Sequence, residues 1–299
     1  MKLSKRRLRL LALSTVVLFL GIAFLAHYFF PQMILKPRKR TPKYSLQEYG
    51  LQGAKMVIES KDSLELSAYY IGGENKQPKA TILILHGIGS CKEHMLGLSK
   101  YLLEQGYASI VIDLRAHGRS EGEYCTYGYY EKEDISQIVS DYLRYNPDAK
   151  IGIWGKSLGG AIALQAMAYD PRIEFGIIES TFTDMTQIVS DYQKRYFGGL
   201  RLKWLSNYAL AQASKTANFE PKEVSPLNAV KQIDRPVILL HGTNDQRISF
   251  DYGKQLYENL ASKEKRFVAM EGAGHNSIFA VNDSLYYNSI EAFLADFGH

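Results

Sequence analysis

The chain has 299 residues, 46% of them apolar and 22% charged, which suits a globular protein with one large α/β domain and an appendage. Its formal charge of +5 is concentrated at one end. Residues 1–43 hold ten Lys or Arg and no acid, leaving 26 basic against 31 acidic side chains in the rest. A mildly acidic body excludes a general nucleic-acid role, and two cysteines exclude a disulfide framework or a cysteine-rich metal site.

Leu10 to Phe30 is a run of 21 residues without formal charge. At about 1.5 Å per residue it spans roughly 31 Å, the thickness of a bilayer core. Lys and Arg flank it on both sides, and His27, Tyr28, Phe29 and Phe30 place aromatic rings at one end. The run is longer than the core of a signal peptide, and its one small-x-small candidate, Gly21-Ile22-Ala23, lies inside it. An uncleaved transmembrane helix over 10–30, after a basic segment at 1–9, is therefore expected. A short basic block ahead of a first span usually stays inside, which would put the body on the extracytoplasmic side. Residues 31–43 read as a basic, proline-containing linker with little structure of its own, able to rest on anionic headgroups. The globular domain is expected over 44–299.

Ala54–Ser60 and Leu64–Ile71 read as strands around a Lys61-Asp62-Ser63 turn. Ala80–Leu85 is a continuous apolar strand ending at His86-Gly87-Ile88-Gly89, followed by a helix from Lys92 to Gln105. Ala108–Ile112 is a buried strand ending at Asp113-Leu-Arg-Ala-His-Gly-Arg-Ser120, and Tyr129 to Tyr145 has helical period. Then come a strand at 150–154, a helix at 158–169, strands at Phe175–Ile178, Pro236–Leu240 and Arg266–Met270, and an amphipathic helix at Ser284–Phe297. Strands this uniformly apolar, alternating with helices, predict a mostly parallel sheet of about eight strands covered on both faces. In such sheets chemistry sits in loops at the strands' carboxyl ends.

The strand at 150–154 runs into Gly155-Lys156-Ser157-Leu158-Gly159, a Gly-x-Ser-x-Gly turn that opens a helix. That placement raises a serine hydroxyl on a sharp bend. An activated serine needs a base, the base an orienting carboxylate, and the oxyanion two donors. His275, in the glycine-rich loop after the last strand, is the candidate base. His86, His117 and His241 brace loops on this reading, and His27, His94 and His299 lie elsewhere. Asp245, in the loop after the penultimate strand, is the candidate acid, with Glu179 and Asp184 as substitutes. The backbone amides of Leu158 and Ile88 are the candidate oxyanion donors, Ile88 from its position alone.

With these motifs in place, residues from about Ala54 to Phe297 resemble an α/β-hydrolase, in the branch holding prolyl-oligopeptidase-like, monoglyceride-lipase-like and membrane-anchored acyl-hydrolase-like proteins. The resemblance rests on His86-Gly-Ile-Gly, Asp113 to Ser120, Gly155 to Gly159, Ser225-Pro-Leu, His241-Gly-Thr-Asn-Asp245 and Gly274-His275. Ala116 stands where such proteins often have Gly, in a structural turn. Asp113, Arg115 and His117 read as a buried brace. The resemblance implies a Ser-His-Asp hydrolase with no metal or organic cofactor.

The stretch between Glu179 and Pro236 is too long for a plain connection and is expected to form a helical lid at about 182–234. Its helices are expected at Gln187–Phe197 and Leu200–Ala213. Tyr192, Tyr196, Phe197, Leu200, Leu202, Trp204, Leu205 and Tyr208 supply apolar surface, and Lys194, Arg195, Arg201 and Lys203 basic edges. These aromatics either pack the lid down or line an acyl pocket facing the membrane. The expected function is hydrolysis of small-molecule carboxylic esters or thioesters. An acyltransferase, a serine peptidase and a non-catalytic binding protein on the same fold are the alternatives. Cys91 and Cys125 read as ordinary thiols, with a bridge at the rim of the site as the other option.

Overall fold

The computed structural model describes residues 4–41, 44–73 and 77–298. An N-terminal helix runs as α1 (Lys5–Phe24), a π-helical turn (Leu25–Phe29) and α2 (Phe30–Leu35). The body follows as β1 (Ala54–Glu59), β2 (Glu65–Ile71), β3 (Thr81–Leu85), α3 (Leu96–Glu104), β4 (Ala108–Ile112) and α4 (Glu131–Tyr145). Next come β5 (Ile151–Lys156), α5 (Leu158–Tyr169) and β6 (Ile173–Glu179). The insertion contributes α6 (Met185–Tyr196), α7 (Lys203–Ala217) and α8 (Pro226–Val230). The chain closes with β7 (Val237–Gly242), α9 (Phe250–Asn259), β8 (Lys265–Met270), α10 (Ile278–Val281) and α11 (Asp283–Phe297).

The strands form one eight-stranded sheet in the order β1-β2-β4-β3-β5-β6-β7-β8. The β1–β2 and β2–β4 pairs are antiparallel and all others parallel. Every residue of β3, β4 and β7 is buried. That is why these strands read as unbroken apolar runs: covered on both faces, they have no wet side for polar residues to mark. One core cluster joins Leu83, Ile110, Ile153 and Leu239 to α4, α5 and α9. The cluster on the opposite face joins Ile82, Ile84, Trp154 and Ile238 to α3 and α11. Helix α5 is buried from Leu158 to Met167, so it is apolar all round rather than amphipathic.

Helix Lys5–Leu35 has a mean hydropathy of 2.3 over its most apolar stretch and is the one helix among the described residues long and apolar enough to cross a membrane. It continues past Phe30, where the linker was expected to begin. Proline inside a helix normally loses a hydrogen bond and clashes with the carbonyl four residues back. Here the π-turn shifts the bonding, with Phe30 N–H donating to Leu25 O, and Pro31 sits in the first turn of α2, where a missing N–H costs nothing.

The linker is also docked rather than free. Leu35 is fully buried, its carbonyl accepts from Cys125 N–H at 2.8 Å, and Lys36 pairs with Glu123 at 2.6 Å. Lys39 Nζ donates to Ser120 O at 2.9 Å. Packing onto the folded body thus begins before Tyr44. Three further helices were not foreseen: α8, α9 and α10. Cys91 and Cys125 are both buried and free, so the bridge at the rim is absent.

Candidate active site

The carboxyl ends of the strands carry His86, Asp113, Ser157, Glu179, Asp245 and His275 in the loops or last residues after β3, β4, β5, β6, β7 and β8. Ser157 sits at the β5–α5 bend with φ 56° and ψ −115°, a conformation L-residues avoid unless the surroundings enforce it. Two contacts enforce it: Ser157 N–H donates to Glu179 O at 2.8 Å, and Thr181 Oγ1 donates to Ser157 O at 2.8 Å. The flanking glycines are required by close approach. A Cβ on Gly159 would lie 2.3 Å from Leu85 O, and one on Gly155 would lie 2.2 Å from Gly159 O.

Ser157, His275 and Asp245 are brought together in one hydrogen-bonded line. Ser157 Oγ lies 3.0 Å from His275 Nε2, and His275 Nδ1 lies 2.7 Å from Asp245 Oδ2. A carboxylate can only accept, so Nδ1 carries the proton and Nε2 is left to accept from the serine hydroxyl. Asp245 Oδ1 accepts from the amides of Arg247 (2.8 Å) and Ile248 (2.9 Å). Burial works to raise the Asp245 carboxyl. The neighbouring His241 and His275 imidazoles and the Ile248 amide outweigh it and hold the group well below the usual carboxylate range.

The candidate oxyanion residues Ile88 and Leu158 flank the same spot, and both line the cavity that contains Ser157. Neither amide donates to a loop or turn carbonyl among the described residues. The substitutes for the acid are occupied elsewhere. Glu179 accepts from Trp154 Nε1 (2.6 Å) and Tyr286 OH (2.7 Å), and Asp184 caps α6 through Gln187 N–H at 2.8 Å.

The expected brace is present. Arg115 grips Asp134 through Nε (2.7 Å) and Nη2 (2.6 Å) and reaches Asp62 at 3.0 and 3.1 Å. His86 Nδ1 donates to Gly87 O at 2.8 Å while its Nε2 accepts from Leu114 N–H at 3.2 Å, which fixes a neutral ring. Burial, with the His117 ring 5.0 Å away adding to it, pushes His86 down to about 3. An unfolded chain protonates this histidine below about pH 6.5, and the folded one does not. Stability is therefore full above that pH and falls as the pH drops. Between pH 7 and 5 His86 alone accounts for a loss of about 2 kcal/mol. The thermal midpoint of detergent-solubilised protein should fall over that interval; an unchanged midpoint would contradict the assignment.

Sequence reasoning missed Lys92. Its side chain is fully buried, its ammonium pairs with Asp113, and its own amide donates to Asp113 Oδ1 at 2.7 Å. Nothing in the local pattern distinguishes it from a solvated lysine. Phe30, Met33 and Ile34 were missed as well. They line the Ser157 cavity, but in the sequence they lie in or just past the apolar run and carry no separate signal.

The cavity has a volume of about 420 Å3, within the usual range for small-molecule sites. Its walls include Tyr127, Phe182, Ile188, Tyr192, Leu205 and Ile248, and among the described residues no Asp, Glu, Lys, Arg or His belongs to its lining. Of the apolar residues expected to shape the insertion, Tyr192, Tyr196, Phe197 and Leu205 line the cavity. Leu200, Trp204 and Tyr208 are exposed on its outer side.

A mostly parallel eight-stranded sheet, a serine on a strained strand-to-helix bend and loops gathered at the strands' carboxyl ends define an α/β hydrolase. The chain belongs to the hydrolase family described as serine aminopeptidase, S33, whose profile matches residues 76–225. The Bacillus subtilis protein YqkD is 28% identical over 297 residues, covering 95% of this chain and 94% of its own length. The Saccharomyces cerevisiae membrane protein YNL320W is 25% identical over 256 residues, 83% of this chain and 82% of its own. The Pyrococcus furiosus esterase Pf2001 shares the fold with a TM-score of 0.73 at 22% identity, covering 88% of this chain and 98% of the esterase.

Proposed function

We propose that the protein is a membrane-anchored serine hydrolase that cleaves apolar acyl esters or thioesters through an acyl-enzyme on Ser157. The observation that carries this reading is the Ser157–His275–Asp245 hydrogen-bonded line at the wall of an uncharged, apolar cavity. His275 Nε2 takes the Ser157 proton as Oγ attacks the carbonyl carbon, and the Ile88 and Leu158 amides receive the developing oxyanion. His275 then gives the proton to the leaving oxygen or sulfur. Water, deprotonated by the same nitrogen, releases the acid and restores the serine. The Asp245 carboxylate holds the imidazole in the productive tautomer and stabilises its cationic form.

An aminopeptidase reading is weaker, because a free α-ammonium group needs an anionic partner. Among the described residues the cavity lining has no carboxylate, and an unpaired charge buried there would cost several kcal/mol. Two observations support the membrane reading. Helix Lys5–Leu35 is long and apolar enough to span, and the insertion carries exposed Tyr196, Leu200 and Trp204 beside it. We take the basic segment before the span to lie on the inner side, with the hydrolase body extracytoplasmic.

The test is a series of p-nitrophenyl esters from acetyl to decanoyl, with the full chain in detergent micelles or nanodiscs. The kcat/KM should rise at least tenfold from acetyl to the best longer chain, as expected when apolar contacts accumulate in a fitted pocket. A strong preference for acetyl would sink the acyl-pocket reading. Adding a competing alcohol and finding chiefly its ester would reassign the protein as an acyltransferase.

A further inference from the structure

The cavity next to Ser157 is built from three parts of the chain. The hydrolase loops contribute Ile88, Leu158 and Ile248, and the insertion contributes Ile188 and Tyr192 among others. The third part lies outside the folded body: Phe30, Met33 and Ile34, in the last turns of the N-terminal helix.

Those turns are held in place at several points. His27 Nδ1 and Tyr208 OH lie 2.9 Å apart, joining the helix to α7. The Phe30 ring packs edge-on against Phe197, with centroids 5.9 Å apart. On the body side Tyr127 OH donates to Ile34 O at 2.9 Å, and Leu35 is fully buried in the core. The helix end cannot leave the cavity without breaking contacts on two sides, so it is a fixed boundary rather than a passing neighbour. Its three side chains are apolar, and the unbranched thioether of Met33 can follow a flexible chain.

We propose that the juxtamembrane end of the anchor helix forms one wall of the acyl-binding pocket, so that Met33 and Ile34 help set which acyl-chain lengths the enzyme accepts. This rests on the acyl-ester reading above. It differs from it in placing selectivity on residues of the anchor rather than of the hydrolase body. A long acyl chain extending from an acyl group on Ser157 Oγ would lie between α2 and the insertion, the two elements that the apolar span brings to the bilayer surface.

The experiment compares Met33→Trp and Ile34→Ala with the wild type, as full chains in nanodiscs, on p-nitrophenyl acetate, butyrate, octanoate and decanoate. The readout is the ratio of kcat/KM for decanoate to acetate, which is independent of how much of each preparation is active. Met33 lines the cavity and is 47% exposed, so a larger side chain there narrows the pocket without straining the buried core. Met33→Trp should lower the ratio about tenfold, and Ile34→Ala should raise it about threefold, in keeping with the effect of a methylene or two in a hydrophobic pocket. Opposite shifts are not what a merely structural role for the helix would give. If the wild type prefers decanoate and neither variant moves the ratio, the anchor is not a wall and the acyl-ester reading stands. If the wild type prefers acetate, both readings fall together.

Discussion

Replacing Ser157 with alanine should lower kcat for any ester substrate by roughly 10^5-fold or more and abolish labelling by a fluorophosphonate. The size follows from how the parts act. Without Oγ there is no atom to form the acyl-enzyme, and His275 and Asp245 have nothing to activate, so the three lose their value as a unit. The residual rate would come from substrate binding beside the Ile88 and Leu158 amides, with water attacking directly. The substitution should leave the fold intact, because the bend is held by Ser157 N–H on Glu179 O and Thr181 Oγ1 on Ser157 O, both backbone contacts that alanine keeps. Unchanged thermal stability combined with lost labelling is the expected pair of results. Labelling or turnover that survives in Ser157→Ala would show that the nucleophile lies elsewhere.

The largest effect on stability should come from Lys92→Met. The two side chains are nearly isosteric, so the packing changes little and the electrostatics change greatly. Lys92 Nζ pairs with Asp113, lies 3.5 Å from Glu93 Oε1 and sits 4.9 Å from the centre of the Tyr69 ring, with neither charged carboxylate open to water. Removing the ammonium leaves the Asp113 charge, among the described residues, with the amides of Lys92 (2.7 Å) and Arg119 (3.0 Å). An uncompensated charge of this kind costs about 3–5 kcal/mol. Denaturant unfolding should show a loss of that order for Lys92→Met, and Lys92→Met combined with Asp113→Asn should recover part of it. A single variant as stable as the wild type would refute the brace. The position matters for chemistry too, since Lys92 ends the loop that carries Ile88.

The features that could be read in advance share one physical cause. β3, β4 and β7 are covered on both faces, so burial leaves its mark on every residue, and in β5 on every residue before Lys156. The candidate site was legible because chemistry at the ends of such strands needs particular residue types in a particular order: Ser157, then Asp245, then His275. Features set by tertiary contact alone left no such mark. Helix α9 was missed because Gly253 breaks its pattern, and that glycine is present because a Cβ would lie 2.6 Å from His241 Nδ1. The helix through Pro31 depends on a π-turn that no local composition announces. The role of Lys92 depends on an aspartate brought to it by the neighbouring strand, and the cavity-lining role of Met33 and Ile34 on a segment that reads as the tail of a span.

The two cysteines have a practical corollary. Cys91 is fully enclosed, and burial pushes its thiol up to about 11; Cys125 is likewise enclosed, and burial raises its thiol well above the usual range. Neither offers a thiolate to oxidants or alkylating reagents at neutral pH. The domain therefore needs neither an oxidising nor a reducing compartment to keep its shape. It is also, in effect, a cysteine-silent scaffold: one cysteine introduced at an exposed position such as Lys55 would be the sole reactive thiol on the folded protein, and a membrane-impermeant maleimide could test the proposed anchoring and its sidedness.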